Sequence, residues 1–333
     1  MTCVALIYYE KWKLSYYDPF WIYIEVASLN ITNIKTYFSG WSEAGESEYR
    51  YCYKKFGGNF STHPDVLDYL HSHAECRERF FVRTNGNGKL TGALCVWHNR
   101  YLANDCLTSE ITKHLNLPVP KDELILPLST EKKSLLPFKG KIISEINASS
   151  IMNVAYKLNA RRQICLAKNP EVMSSSTKNS RKREVRRFLE QGGEIIDQRE
   201  YSASELVDIY FELFKMRRGV YPGQREENIK FIQKFRSMVF GSILFYQGKP
   251  AAFQLIMKSD NPKWLTFDYI NIGLNTELAK LSIGTIIMWL NTQNAWSKCN
   301  EENKVMRFSF GKPTYKYKDR WCTRETVGRL LFP

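Results

Sequence analysis

The segment Ser282-Ile283-Gly284-Thr285 stands immediately before the apolar stretch 286–296 and has the residue types of an anion-binding helix start. The first N–H groups of a helix have no intrahelical acceptor, and the helix dipole favours negative charge beside them. Glycine lets a ligand approach the backbone, Ser and Thr add hydroxyl donors, and Lys280 just upstream brings a positive charge for a phosphate. The plainer reading of the same string is a capped helix that tolerates its glycine. A second set of candidates is basic: Arg181, Lys182, Arg183, Arg186 and Arg187, set against Glu184 and Glu190 in the segment 181–191, and Lys316, Lys318 and Arg320 in the C-terminal tail. These are phosphate contacts or solvated faces. His73 with Cys76 and Cys95 with His98 have a metal-ligand spacing, but the second pair straddles a strand end, where residues three apart face opposite sides, and no metal site is expected. Gly-x-Ser-x-Gly, P-loop and dinucleotide fingerprints are absent from the sequence, which removes the basis for hydrolase, NTPase and dehydrogenase readings.

Those residues belong to a chain of 333 residues with 44% hydrophobic content, long enough for two domains with sizeable cores. A formal net charge of +14 attracts phosphates, acidic headgroups or anionic cofactors. Eight cysteines without a CxxC pair favour free thiols in a reducing compartment. The first residues lack the basic and apolar regions of a secretory signal, and charges interrupt every hydrophobic run before it reaches membrane-spanning length. The expected location is the cytoplasm, with any membrane contact peripheral. Tyr8 to Tyr23, rich in Tyr, Trp and Phe beside Lys11 and Lys13, reads as an aromatic hairpin or core strand ahead of an interfacial anchor.

The elements that must position the candidates follow from pattern and punctuation. A helix is expected over 42–56, stopping at Gly57-Gly58, then a shorter one over 65–73. The runs 80–83 and 90–97 flank Asn85-Gly86-Asn87-Gly88 and predict a hairpin. Residues 116–140 read as strand plus loop, and 147–158 as a helix. Beyond a strand at 163–167, the polar cluster 174–180 caps the basic helix 181–191, which stops at Gly192-Gly193. The remainder reads as strand 194–198, helices 202–218 and 226–238, strands 242–246, 251–258 and 264–272, helix 286–296 and strand 305–310. Strand, two helices, three antiparallel strands, helix, strand is the order of the GNAT acyltransferases.

The C-terminal half resembles the CelD-like and Fem-type branch of that superfamily through the basic helix, Ser282-Ile283-Gly284-Thr285, Phe308-Ser309-Phe310-Gly311 and Tyr317-Lys318-Asp319-Arg320-Trp321. Over residues 35–333 the chain is similar to the Mig-fourteen (Mig-14) family, on Gly57-Gly58-Asn59-Phe60 with His63-Pro64, Leu213 to Gly219, Phe267-Asp268-Tyr269-Ile270-Asn271 and Met306 to Pro313. These resemblances imply an α+β fold of two GNAT-like units in tandem, with mixed, mostly antiparallel sheets flanked by helices: an aromatic extension over 1–34, a degenerate unit over 35–146 and a second unit over 147–333. They imply a bacterial protein that supports resistance to cationic antimicrobial peptides, lies peripherally on the inner membrane and is sometimes described as a transcriptional activator.

The resemblance further implies an acyl-CoA donor, acetyl-CoA among the candidates, held by Lys280, Ser282, Gly284 and Thr285, with aminoacyl-tRNA as the other donor class. Such transferases align an amine with a thioester and need a modest base and an acid. Asp268 and Tyr269 on the central strand and Tyr317 after the last strand are the catalytic candidates, with Tyr315 and Asp319 beside them; the competing reading is a bracing aspartate and packing tyrosines. Ser309 stands where the Phe-Gly motif usually follows an acidic residue, a departure from Fem-type chemistry. The rival functions are a DNA-binding regulator using helix 181–191 and the basic tail, and a non-catalytic protein on an anionic membrane surface. Against the first, the chain shows no helix-turn-helix pair. Oligomeric state is not legible from these features.

Overall fold

A computed structural model describes residues 34–159 and 161–331. The aromatic segment 8–23 lies outside the described residues. The first sheet opens with β1 (Ser42–Ala44), followed by helices α1 (Glu46–Phe56) and α2 (Pro64–His73) and strands β2 (Glu78–Thr84), β3 (Leu90–Trp97) and β4 (Tyr101–Leu102). Its strands lie in the order β1-β2-β3-β4, all antiparallel. Residues 42–44 are strand rather than the start of a helix because they pair with Phe80–Val82. Gly45 then restarts the chain as α1, with the Glu48 carboxylate accepting its N–H at 3.1 Å. The expected hairpin is present: the Asn85 side chain accepts from the N–H groups of Asn87 and Lys89, and Gly88 takes φ +73°.

No helix forms over 147–158. A 3-10 turn at Glu145–Asn147 leads to the two-residue strand β5 (Val154–Ala155), and a second 3-10 turn follows at Lys157–Asn159. The physical reason is two asparagines: the Asn147 side chain binds the N–H and C=O of Leu126 at 2.8 and 2.9 Å, and the Asn153 side chain does the same with Leu136, both bonds at 2.9 Å. Asparagine amides that bond to another segment's backbone draw the chain out of helix.

The second sheet is built from β6 (Gln163–Ala167), helix α3 (Ser175–Glu190), β7 (Gly193–Asp197), helices α4 (Ala203–Arg218) and α5 (Arg225–Lys234), strands β8 (Val239–Phe240), β9 (Ser242–Tyr246), β10 (Lys249–Asp260) and β11 (Trp264–Leu274), helix α6 (Ile283–Glu301), β12 (Val305–Ser309), the short α7 (Lys318–Trp321) and β13 (Cys322–Thr326). A last strand, β14 (Arg329–Leu330), pairs with β5. The order across the sheet is β13-β6-β12-β11-β10-β9-β7, with β11 and β12 parallel and the other neighbours antiparallel. α3 begins six residues earlier than the basic run because Ser174 caps it, its hydroxyl accepting from Thr177. The run β7-α4-α5-β9-β10-β11 repeats the order β1-α1-α2-β2-β3-β4 and then adds α6 and the parallel β12. The chain thus folds as two GNAT-like units in tandem.

The two units share a core. Tyr49, Phe60, Leu67 and Trp97 of the first bury against Leu206, Phe211, Phe231 and Phe253 of the second, and the Phe60 ring lies 5.8 Å from that of Phe235. Each fully buried side chain of this size contributes about 1.5–3 kcal/mol. On the far face of the first sheet, Leu124, Leu126, Leu128, Phe138 and Ile143 from an irregular segment pack on Leu94 and Val96. On the far face of the second, α6 buries Met288, Trp289 and Ala295 against Phe267 and Phe308.

Candidate functional site

The parallel pairing of β11 with β12 runs from Trp264 opposite Val305 to Asp268 opposite Ser309, and there it stops. β11 continues for six residues, bent by a bulge: Leu255 faces Asn271 and Ile256 faces Tyr269, so Ile270 is the extra residue. A bulge adds local twist and turns a strand away from its neighbour. β12 meanwhile ends in a turn at Gly311, where φ is +65°, and Phe310 bonds to Cys165 of β6 at 2.8 Å. The two strands therefore part, and two adjoining cavities of about 480 and 240 Å³ fill the opening, with Arg217 and Tyr317 lining both.

The larger cavity lies over the start of α6 and is lined by Ser282, Gly284 and Thr285 together with Arg320 and Trp321. Ser282 sits in the left-handed region at φ +57°, and its carbonyl accepts from Thr285 and Ile286 at 2.9 and 3.0 Å. The N–H groups of Ile283 and Gly284 belong to the first helical turn, where α-helical pairing supplies no acceptor. A Cβ on Gly284 would meet only Leu274, at 3.5 Å, so internal packing does not demand glycine there; the space beside it belongs to the cavity. The Arg217 guanidinium, fixed by donating to the Ile272 carbonyl at 2.9 Å, adds positive charge between the two cavities.

Tyr269 and Tyr317 meet in the smaller cavity. The Tyr269 hydroxyl donates to that of Tyr317. Burial pushes both phenols above their ordinary range, so each keeps its proton at neutral pH. Tyr315 stacks on Tyr317 with ring centroids 6.0 Å apart, and the Arg218 guanidinium donating to its oxygen holds that phenol below its ordinary range.

Asp268 is not brought to these tyrosines. Neighbouring residues on a strand face opposite sides, and Asp268 lines neither cavity. It is 4% exposed, accepts a hydrogen bond from the Phe60 N–H of the first unit, and has no partner for its other oxygen. Burial first, and the Glu123 charge second, push its carboxyl up to about 8. Lys280 is exposed and lines neither cavity. Lys318 is buried and its ammonium donates to the carbonyls of Phe310 and Lys312, so it braces the turn after β12 instead of meeting phosphates. Asp319 pairs with Arg324 at 2.8 Å. On α3, Arg181 pairs with Glu184 at 2.5 Å and lies over the Trp321 ring at 5.8 Å, Arg186 pairs with Glu190 at 3.6 Å, and Lys182, Arg183 and Arg187 are exposed.

Sequence reasoning passed over Arg217, Arg218 and Asp122, all of which line the smaller cavity. The two arginines end α4 immediately before Gly219, and that cluster was the available signal; Asp122 had none. Among the described residues, no group of three His, Cys, Asp or Glu side chains is placed to hold a metal ion, and no helix is long and apolar enough to cross a membrane.

A family model described as Mig-14 matches residues 63–330. No curated protein matches the chain. Solved structures similar in path include L-PGS from Bacillus licheniformis, with 10% identity, 87% of this chain and 93% of the other covered, and a TM-score of 0.43. A tandem GNAT protein from the clavulanic acid biosynthesis pathway gives 8% identity, 87% and 97% coverage and a TM-score of 0.41. The C-terminal domain of a putative lysylphosphatidylglycerol synthetase from Agrobacterium fabrum gives 10%, 59% and 68%, and 0.38.

Proposed function

From the premise that the chain belongs to the Mig-14 family, we propose that it is a GNAT-type transferase that passes an acyl or aminoacyl group from an activated donor to an amine. One observation carries this reading: the start of α6, with an open glycine and two arginines beside it, faces a cleft made by the parting of β11 and β12. The residues fit an acyl-CoA there. The first N–H groups of α6 with Ser282 and Thr285 would hold its phosphates, and Arg217 and Arg320 would neutralise them. The bound donor supplies an activated carbonyl and a thiolate leaving group. Tyr317, with its proton retained by burial and its oxygen already accepting from Tyr269, is placed to give that proton to the leaving atom. Lys280 and Asp268 take no part in this reading.

In this reading residues 35–146 form one unit and residues 147–333 the other, the first bracing the second. A role in resistance to cationic antimicrobial peptides rests on the family, and modification of an envelope component is its proposed form. The exposed Lys182, Arg183 and Arg187 of α3 support contact with an anionic surface. The test is calorimetric titration of the purified protein with CoA, acetyl-CoA and octanoyl-CoA. Micromolar binding of at least one is expected; binding of none of the three removes acyl-CoA as donor and leaves the 3′ end of an aminoacyl-tRNA as the phosphate-bearing alternative.

A further inference from the structure

We infer that Asp122, which comes from the first unit, receives the acceptor in the cleft of the second, and hence that the acceptor presents a positively charged primary amine. This rests on the transferase reading above. Asp122 is the one carboxylate among the described residues lining the two adjoining cavities, where the charged company is Arg217, Arg218, Lys312, Lys318 and Arg320. A lone negative group in so basic a cleft selects for a cation at that spot, while the arginines select for an anion beside it.

Its placement is built in. A Cβ on Gly311 would lie 2.5 Å from the Asp122 Oδ2 atom, so the carboxylate rests directly on the Gly311 backbone, and glycine is required there for this contact as well as for its φ of +65°. Ser309, at the position where the motif's acidic residue is missing, turns its hydroxyl inward to accept from the Gly311 N–H at 3.2 Å. Asp122 thus brings a carboxylate from the first unit to the turn that follows β12. The segment that carries Asp122 is held on both sides. The Pro120 carbonyl accepts from the Ser61 hydroxyl at 2.7 Å, and the Glu123 carboxylate, 3% exposed, binds Arg307 of β12 through the guanidinium Nε at 3.1 and 3.2 Å. Glu123 is therefore a positioning residue for Asp122. The existing partner of Asp122 is Lys312 at 3.3 Å, an ammonium 58% exposed, and a surface pair of that kind is worth little and gives way readily to a substrate cation.

In the step this allows, the acceptor ammonium donates to the Asp122 carboxylate and loses one proton through it to solvent. The amine nitrogen then attacks the acyl carbon: a C–N bond forms and the bond to the leaving sulfur, or to oxygen for an aminoacyl ester, breaks. Tyr317 gives its proton to the leaving atom and is reprotonated by the second proton of the former amine, so one proton is released per acyl group transferred.

The test uses the full chain with whichever acyl-CoA the titration shows to bind, cadaverine as the amine probe and 1,5-pentanediol as its uncharged counterpart, with release of free thiol as the signal. Wild type should turn over cadaverine and not the diol. Asp122→Asn should lose about 10²-fold or more in kcat/KM for cadaverine, with acyl-CoA affinity within about twofold of wild type, and Asp122→Glu should recover part of the loss. Amine turnover by Asp122→Asn within about threefold of wild type, or equal use of the diol by wild type, would overturn the assignment, as would binding of acyl-CoA without amine-dependent thiol release. Failure of every acyl-CoA to bind would instead bring down the donor reading beneath it.

Discussion

In the first unit the chain after the two-residue β4 returns as residues 124–143 and closes over β3, whereas in the second β11, the strand in the place of β4, parts from β12 and leaves a cleft. One glycine in each place expresses the difference. A Cβ on Gly92 in β3 would meet Leu128 at 2.6 Å and the Pro127 carbonyl at 3.3 Å, so protein already occupies that space. A Cβ on Gly284 would touch only Leu274 at 3.5 Å. The same strand-helix-helix-strand order therefore yields a braced wall in one unit and an opening in the other. The cause lies in the chain beyond the third antiparallel strand: a leucine-rich irregular segment in the first unit, and a helix and a parallel strand in the second. Asp122 and Glu123 come from the chain leading into that closing segment, which makes the wall of one unit a contributor to the opening of the other.

The largest expected effect comes from cutting the tie between the two regions. Arg307→Ala leaves Glu123 and Glu325 facing each other with their shared cation gone, and the cost is about 3–5 kcal/mol, to be measured by urea unfolding. Loss below about 1 kcal/mol, the range of an exposed pair, would mean that the clamp does not hold the closing segment to β12.

Gly92→Ala and Gly284→Ala sharpen the contrast at a smaller scale. The first forces a methyl group against Leu128 and should cost about 1–3 kcal/mol while leaving the cleft intact. The second has room in a helical turn and should be neutral or stabilising by up to about 1 kcal/mol. Equal costs at the two sites would erase the distinction between filled and open space.

Asp268, between the units, titrates differently from an exposed carboxylate. Its native carboxyl holds a proton up to about 8, while in the unfolded chain it loses that proton near the ordinary value of about 3.9. Stability from this group is therefore complete below about pH 4 and is lost as pH rises towards 8, by at most about 1.4 kcal/mol per pH unit. Asp268→Asn should flatten the decline of Tm across that window and gain most above it. A Tm profile parallel to wild type would place the raised titration elsewhere.

The order of elements from 193 to 310 was legible because alternating strands, glycine turns and the long apolar helix each leave a local pattern. The turn at the start of α6 was legible for the same reason: Ser282, Gly284 and Thr285 are neighbours in sequence and remain neighbours at the cleft. Alternation told that Asp268 and Tyr269 face opposite ways, but which face meets the cleft depends on the first unit packing over Asp268 through Phe60. Lys318 reads as a surface cation, and only the path of the turn after β12 buries its ammonium among carbonyls. Residues 147–158 have helical composition, yet Asn147 and Asn153 find better partners in backbone 21 and 17 positions away. Asp122 could not be found at all, since its meaning comes from Gly311.

The most direct measurement puts one substitution into both regions. Gly284→Glu drives a carboxylate into the cleft at the start of α6, and Gly86→Glu places the same side chain in the exposed hairpin turn of the first unit, where a Cβ meets nothing within 4 Å. Calorimetric titration of wild type and both variants with the acyl-CoA series, beside their melting curves, should give micromolar binding to wild type and Gly86→Glu and a loss of at least about 100-fold in a still-folded Gly284→Glu, more than about 2.7 kcal/mol. Unchanged binding to folded Gly284→Glu, or equal loss in both variants, would contradict a donor site at the start of α6.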